Sequence, residues 1–252
     1  MTETTPNIQT RGSERQLEGR EKLLELFKNC PIPPDQLATN LPLFMRSSVV
    51  AKFLYINEIY QKIVETPGVI MEFGVWRGQN MALFENLRAV YEPYNYTRRT
   101  IGFDTFTGYA SITEKDGSSD FVTEGAYSVP GDYLDYLRQI LDYHQGENTM
   151  SHIKKYELVP GDATETINDY LERHPETIVA LAYFDMQLYE PTKKCLEAIR
   201  PFLTRGSVIA MDELNCEEFP GETVAFKEVF GLDKYKIVRS KFLPDRSYVI
   251  ID

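Results

Sequence analysis

The chain has 252 residues, 42% of them hydrophobic, which suits one large α/β domain with an N-terminal extension, or two small domains. Lys and Arg number 27 against 38 Asp and Glu, a net charge of −11 that weighs against a protein gripping the phosphates of DNA or RNA. No apolar run reaches the ~20 residues that cross a bilayer, the start Met1–Pro6 lacks the basic and apolar parts of a signal peptide, and the isolated Cys30, Cys195 and Cys216 fit a reducing cytoplasm rather than a disulfide framework or a zinc site.

Residues 1 to about 12 are polar, without periodicity, and are expected to be disordered. Glu14 to Lys28 reads as a charged helix with apolar positions at Leu17, Leu24 and Phe27, broken by Gly19 and stopped by Pro31, Pro33 and Pro34. A second helix starts near Ser47 or Ser48 and runs to Thr66, before Pro67-Gly68. Val50, Phe53, Leu54, Tyr60, Ile63 and Val64 form its apolar stripe, which packs on a sheet edge or on another subunit. Arg46 and Tyr55 are candidates for a substrate entrance. The tail and these helices are assigned residues 1–66, and the remaining chain, 67–252, is one domain.

That domain opens on Val69-Ile70-Met71-Glu72-Phe73, an apolar strand, followed by Gly74, a second glycine at Gly78, and a helix from Gln79. A strand, glycine turn and helix in this order bring a ligand close to bare backbone at the strand's C-terminal end. Further strands are expected at 100–104, 156–159, 177–184 and 207–211, with helices at about 162–173, 191–203 and 221–231 between them. Lys236–Val238 and Ser247–Ile251 close the chain as two more strands. Alternating strands and helices predict a Rossmann-like α/β fold, a mostly parallel seven-stranded sheet with helices on both faces. One connection breaks the rhythm. Residues 105–154 separate two neighbouring strands, far more than the ~2–6 residues plus a helix of an ordinary crossover. This segment holds a loose polar stretch, Glu114–Asp120, a helix from Asp132 to His144, and Tyr109, Tyr127, Tyr133, Tyr136 and Tyr143. It reads as a lid whose tyrosines either stack on a substrate ring or simply pack.

Acidic residues close the strands: Glu72, Asp104, Asp185 and Asp212. Each ends an apolar run where a carboxylate needs a partner. Asp104 can accept both ribose hydroxyls of an adenosine ligand. Asp162, in Gly161-Asp162-Ala163, either caps the next helix or receives an adenine amino group. Asp185 and the pair Asp212-Glu213 end adjacent strands, so they repel unless a cation or proton is shared. Oxygen ligands favour Mg²⁺, Ca²⁺ or Mn²⁺.

The turn E-F-G-x-x-x-G resembles the first motif of class I S-adenosylmethionine (SAM)-dependent methyltransferases, where it wraps the methionine part of the cofactor. It lacks the third glycine of the dinucleotide fingerprint, which disfavours a dehydrogenase. With G-F-D-T-F-T-G, F-D-M-Q-L-Y-E-P-T and A-M-D-E-L added, residues 47–252 resemble the macrocin/mycinamicin-type sugar O-methyltransferases. Several expectations follow from that resemblance. The last strand should insert antiparallel. SAM should lie against Glu72, Phe73, Gly74, Val75, Trp76, Arg77, Gly78, Asp104, Thr105, Phe106, Gly161, Asp162, Ala163 and Asp185. Asp185, Asp212 and Glu213 should hold Mg²⁺, with Asp185 also the general base. Glu213 departs from the family's second aspartate, and Gln187 stands where an acid is common. The acceptor is then a hydroxyl of a deoxysugar, nucleotide-linked or on a natural product, in antibiotic biosynthesis. A phenol or catechol acceptor, and a non-catalytic SAM-fold subunit, are the alternatives. Tyr189 is placed in the cofactor pocket, His144 and His152 on the surface, and His174 in a structural role. The apolar helix at 47–66 predicts a homo-oligomer.

Overall fold

The computed structural model describes residues 12–109, 112–117, 119 and 122–252. The expected disorder of residues 1–11, and part of the polar stretch at 114–120, lie outside these. The chain divides into two units at Lys52/Phe53. The first holds α1 (Glu14–Lys28), α2 (Pro34–Asn40) and the start of α3 (Ser47–Ile63). Gly19 leaves α1 unbroken. The sequence reading has no counterpart of α2, because Pro34 reads there as a breaker. It stands instead at the first helical position, where proline's missing N–H costs nothing. Phe27 meets Phe44 edge-on at 5.1 Å within this unit.

The boundary falls inside α3 rather than after Thr66 for a packing reason. Tyr55, Ile56, Ile59, Tyr60 and Ile63 are buried with Ile70, Leu181, Tyr183 and Val208 of the sheet, so most of the helix belongs to the second unit. Tyr55 is therefore no entrance residue. It is fully buried, with its hydroxyl donating to the Ser247 carbonyl at 3.4 Å. Arg46 lies in the first unit and is exposed.

The second unit alternates β1 (Val69–Phe73), α4 (Gln79–Tyr91), β2 (Thr100–Asp104), α5 (Tyr133–Glu147), β3 (Tyr156–Pro160), α6 (Ala163–Arg173), β4 (Val179–Phe184), α7 (Tyr189–Ile199), β5 (Leu203–Met211), α8 (Pro220–Phe230), β6 (Val238–Arg239) and β7 (Ser247–Ile250). The sheet order is β3-β2-β1-β4-β5-β7-β6, with the first five strands parallel and β7 inserted antiparallel beside β5. Period-two alternation splits the strands between two layers. Met71, Phe73, Ile101, Phe103, Ala182 and Phe184 pack under α6, α7 and α8. Ile70, Leu181 and Tyr183 face α3 and α4. Phe103, Phe73 and Phe184 stack across three strands, with ring centroids 5.0 and 4.7 Å apart. They form an apolar floor at the strand ends, one residue before Gly74, Asp104 and Asp185. Arg98 ties the entry to β1 by donating to the carbonyls of Ile63, Thr66 and Gly68 and to Glu92, which also accepts from Tyr60 at 2.7 Å.

The segment at 105–154 is not one lid. Its helix α5 is the crossover helix of the sheet, burying Leu137 and Leu141 with Val75, Met81, Tyr156 and Leu158. The described residues before it are largely irregular, and part of that stretch is bolted down. Asp116 is fully buried and accepts the N–H of Tyr189, while Lys115 pairs with Glu228 of α8 at 2.8 Å.

Candidate active site

The strand order changes direction between β1 and β4, and the predicted acids gather at the C-terminal ends around that point. Gly74, at φ +91°, lets the two strand ends close up. A Cβ there would lie 2.2 Å from the Asp185 carbonyl oxygen. Gly78, at φ +75°, is likewise pressed by Leu137 of α5, 2.3 Å from its ideal Cβ. In this structure both glycines make room for protein, where the sequence suggested room for a ligand.

Asp104 holds the turn. Its Oδ2 accepts the Trp76 N–H at 2.7 Å and its Oδ1 the Phe106 N–H at 2.6 Å. Burial pushes its pKa up, and these N–H groups pull the other way. The Val75 N–H also reaches this carboxylate, and the acceptor capacity left over suits a ligand hydroxyl. Glu72 is buried within β1 and accepts from Asn80 of α4 at 2.8 Å. Arg77 is exposed, stacked over Trp76 at 4.5 Å. Val75 and Phe106 are core residues packed with Met81 and Leu137. The Phe106 N–H donates to Asp104, and its carbonyl accepts from the Val129 N–H. Thr105 turns its hydroxyl to the Gly108 carbonyl at 2.9 Å. Asp162 caps α6 through the Thr164 N–H at 2.8 Å, Gly161 before it has φ +128°, and Ala163 is buried.

Across the switch point, Asp185, Asp212 and Glu213 each present a carboxylate oxygen within 4.8 Å of the others. Asp212 accepts from the Tyr183 hydroxyl at 2.5 Å and pairs with Arg246 at 2.5 Å. Glu213 accepts from Gln187 through Oε1 at 3.1 Å, while its Oε2 is buried without a partner. Burial pushes Glu213 well above the carboxylate range, and Asp212, Glu222 and Asp185 add to the shift. The donor set is all oxygen, and the three groups lie close enough together to converge on one hard divalent cation. An orphaned carboxylate oxygen in the same place fits such an ion.

Two residues here escaped the sequence reading. Glu222, fully buried in the first turn of α8, accepts the N–H groups of Met186, Gln187 and Glu213 at 3.0–3.2 Å. Burial and the neighbouring acids raise its pKa to about 8 against the pull of those donors. Arg246, before β7, is the counter-charge to Asp212. An acid in a helix's first turn reads as a complement to the helix dipole, so the sequence carried no sign of its inward role.

No family model and no curated protein matches the chain. Solved structures do. A structure of CalS11, a calicheamicin methyltransferase, is 42% identical with a TM-score of 0.93, over 96% of this chain and 94% of that one. An apo structure of CalS11, named as a TDP-rhamnose 3′-O-methyltransferase of calicheamicin biosynthesis, is 41% identical with a TM-score of 0.85, over 96% of both. The chain belongs to the class I, SAM-dependent sugar O-methyltransferases. The O-methyltransferase NovP, 17% identical over 80% of each chain with a TM-score of 0.60, shares the fold.

One expectation about this methyltransferase's side chains changes in the structure, and those for the three histidines do not. Tyr189 does not line a cofactor pocket: its hydroxyl donates to Glu228 at 2.6 Å and Lys115 covers its ring. His144 sits beside Asn86, and His174 pairs with Glu176 at 3.4 Å, both remote in role from the acids, while His152 is exposed. Strain, by contrast, gathers at the site. Trp76, Phe106, Tyr127, Gln187 and Asn215 all have φ between 47° and 64°, a left-handed backbone that non-glycine residues rarely adopt.

Proposed function

We propose that this methyltransferase methylates a ring hydroxyl of a deoxysugar, nucleotide-linked or on a natural product, with a divalent cation, Mg²⁺, held by Asp185, Asp212 and Glu213. The cluster of three carboxylates with the orphaned Glu213 Oε2 is the observation that carries the metal reading. Similarity to CalS11, whose acceptor is TDP-rhamnose, supports the sugar.

The chemistry follows from the residues. The acceptor oxygen attacks the methyl carbon, an O–C bond forms as the S–C bond breaks, and the bonding pair returns to sulfur, leaving a neutral thioether. Asp185, at the end of β4 beside the glycine turn, takes the hydroxyl proton. Asp104 and the turn from Gly74 to Gly78 hold the adenosine and methionine parts, with Asp162 near the adenine. A divalent ion at the three acids supplies acidification and orientation of the hydroxyl. Gln187 fixes one Glu213 oxygen and leaves the other for the ion, and Glu222 locks the backbone that carries both residues.

The net charge supports a small-molecule acceptor over nucleic acid. No helix among the described residues is long and apolar enough to cross a membrane. Three free cysteines support a cytoplasmic setting, and we keep the homo-oligomer as part of this reading. The test is methyl transfer from labelled SAM to TDP-deoxysugars and to catechols, with and without EDTA. Turnover on a sugar that stops in EDTA and returns with Mg²⁺, while SAM binding persists, is the expected result. Full activity in EDTA overturns the cation, and turnover on catechols alone overturns the sugar.

A further inference from the structure

The irregular stretch before α5 places a row of aromatic rings between the glycine turn and the acids. Trp76 meets Tyr127 edge-on at 5.8 Å, and Tyr127 meets Tyr109 at 5.3 Å. At its middle ring the row joins the acidic cluster. Gln187 hydrogen-bonds Tyr127 and donates to Glu213 at 3.1 Å. Burial raises the pKa of the Tyr109 hydroxyl, and the fields of Tyr127, Glu213, Asp185 and Glu222 all add to that.

That placement is built into the backbone. Tyr109 is clamped to the returning chain by two bonds of 3.1 Å, its N–H to the Ala126 carbonyl and the Gly125 N–H to its own carbonyl. Gly108, at φ +88°, allows the approach, since a Cβ there would lie 2.4 Å from the Ala126 oxygen. Tyr127 and Gln187, whose side chains meet, are both held in the left-handed region at φ 63° and 64°. Such strain persists only where surrounding structure enforces it, and it concentrates where ligands bind.

Besides Glu213 Oε2, a hydroxyl of the aromatic row lacks a partner among the described residues. The Tyr109 hydroxyl oxygen is buried and makes no hydrogen bond. Leaving a buried hydroxyl unsatisfied is costly, and a tyrosine needed only for packing is served as well by phenylalanine. A sugar supplies what is missing. Its hydroxyls both donate and accept, as the phenol does, and the C–H face of a deoxysugar suits the aromatic faces beside it. The reacting hydroxyl already has Asp185 for its proton, so a second ring hydroxyl is the natural match.

We propose that Tyr109 determines acceptor specificity, its hydroxyl binding the ring hydroxyl next to the one methylated while Tyr109 and Tyr127 cover the apolar side of the sugar. This rests on the reading of the site as a sugar O-methyltransferase. The test is Tyr109→Phe, assayed with TDP-rhamnose and with analogues lacking, in turn, each of the other ring hydroxyls. The wild type should prefer the full sugar over one of these analogues by about 10-fold or more. Tyr109→Phe should lose about 10-fold in kcat/KM on the full sugar, mainly through KM, and bring that preference close to 1, with SAM affinity and Tm unchanged. A variant that keeps the wild-type preference overturns the proposal, as does a loss that falls equally on SAM affinity or Tm. A wild type inactive on every sugar overturns the sugar reading and the proposal with it, a failure told apart because it appears before any substitution.

Discussion

Replacing Asp104 with alanine removes two acceptors at once. The bonds from the Trp76 and Phe106 N–H groups, 2.7 and 2.6 Å long, each end on a charged oxygen. A hydrogen bond to a charged group contributes about 1.5–3 kcal/mol, so two give roughly 3–6 kcal/mol if both donors are left dry. Asp104 is only partly buried, and water reaches some of the space that alanine vacates. About 2–4 kcal/mol of stability should therefore be lost. The loss is local first. Trp76 and Phe106, at φ 47° and 58°, are held in a conformation that costs about 1–3 kcal/mol each once unsupported. Trp76 is the chain's single tryptophan, so its fluorescence reads the turn directly. Urea unfolding followed by that signal gives the stability, and calorimetry should show SAM binding weakened at least ~10-fold, as the ribose contact proposed for this carboxylate is lost with the turn. A stability loss below ~1 kcal/mol, with native Trp76 emission and unchanged SAM affinity, would refute the role assigned to this carboxylate.

Gly74→Ala puts a Cβ 2.2 Å from the Asp185 carbonyl at a positive φ, and should cost about 3 kcal/mol or more by urea unfolding; a variant as stable as the wild type would contradict the close approach of β1 and β4. Asp185→Asn keeps the shape and removes the proposed base, so kcat should fall on the order of 10²–10⁴ with SAM affinity nearly intact; full activity removes Asp185 from catalysis. Burial alone would raise the Glu92 pKa, but Arg98 and Tyr60 hold it below its ordinary 4.5. Its contribution is thus present above pH 4.5 and lost as the pH falls through the lowered value. The gap in urea midpoint between wild type and Glu92→Gln should be wide at neutral pH and close under acid, and a gap that ignores pH counts against the pairing.

The sequence by itself determined much of the sheet. Val69–Phe73 and Thr100–Asp104 are read to the residue, because continuous apolar runs ended by a glycine or an acid are local patterns. The same logic exposes Asp185, Asp212 and Glu213, since a carboxylate at the end of an apolar strand needs a reason to be there. Where a residue's role depends on a distant partner, the local pattern misleads. Pro34 after two other prolines looks like a stop and is a helix start. The helix within 105–154 is read as lid because the segment is long, whereas Leu137 and Leu141 show it to be part of the core. Glu222 and Arg246 are ordinary surface letters in their own neighbourhoods. Only the packing of α8 brings Glu222 under three backbone N–H groups, and only the antiparallel insertion of β7 beside β5 sets Arg246 on Asp212. Strand order and helix placement bring these groups together across many residues of chain, and no local periodicity carries that convergence.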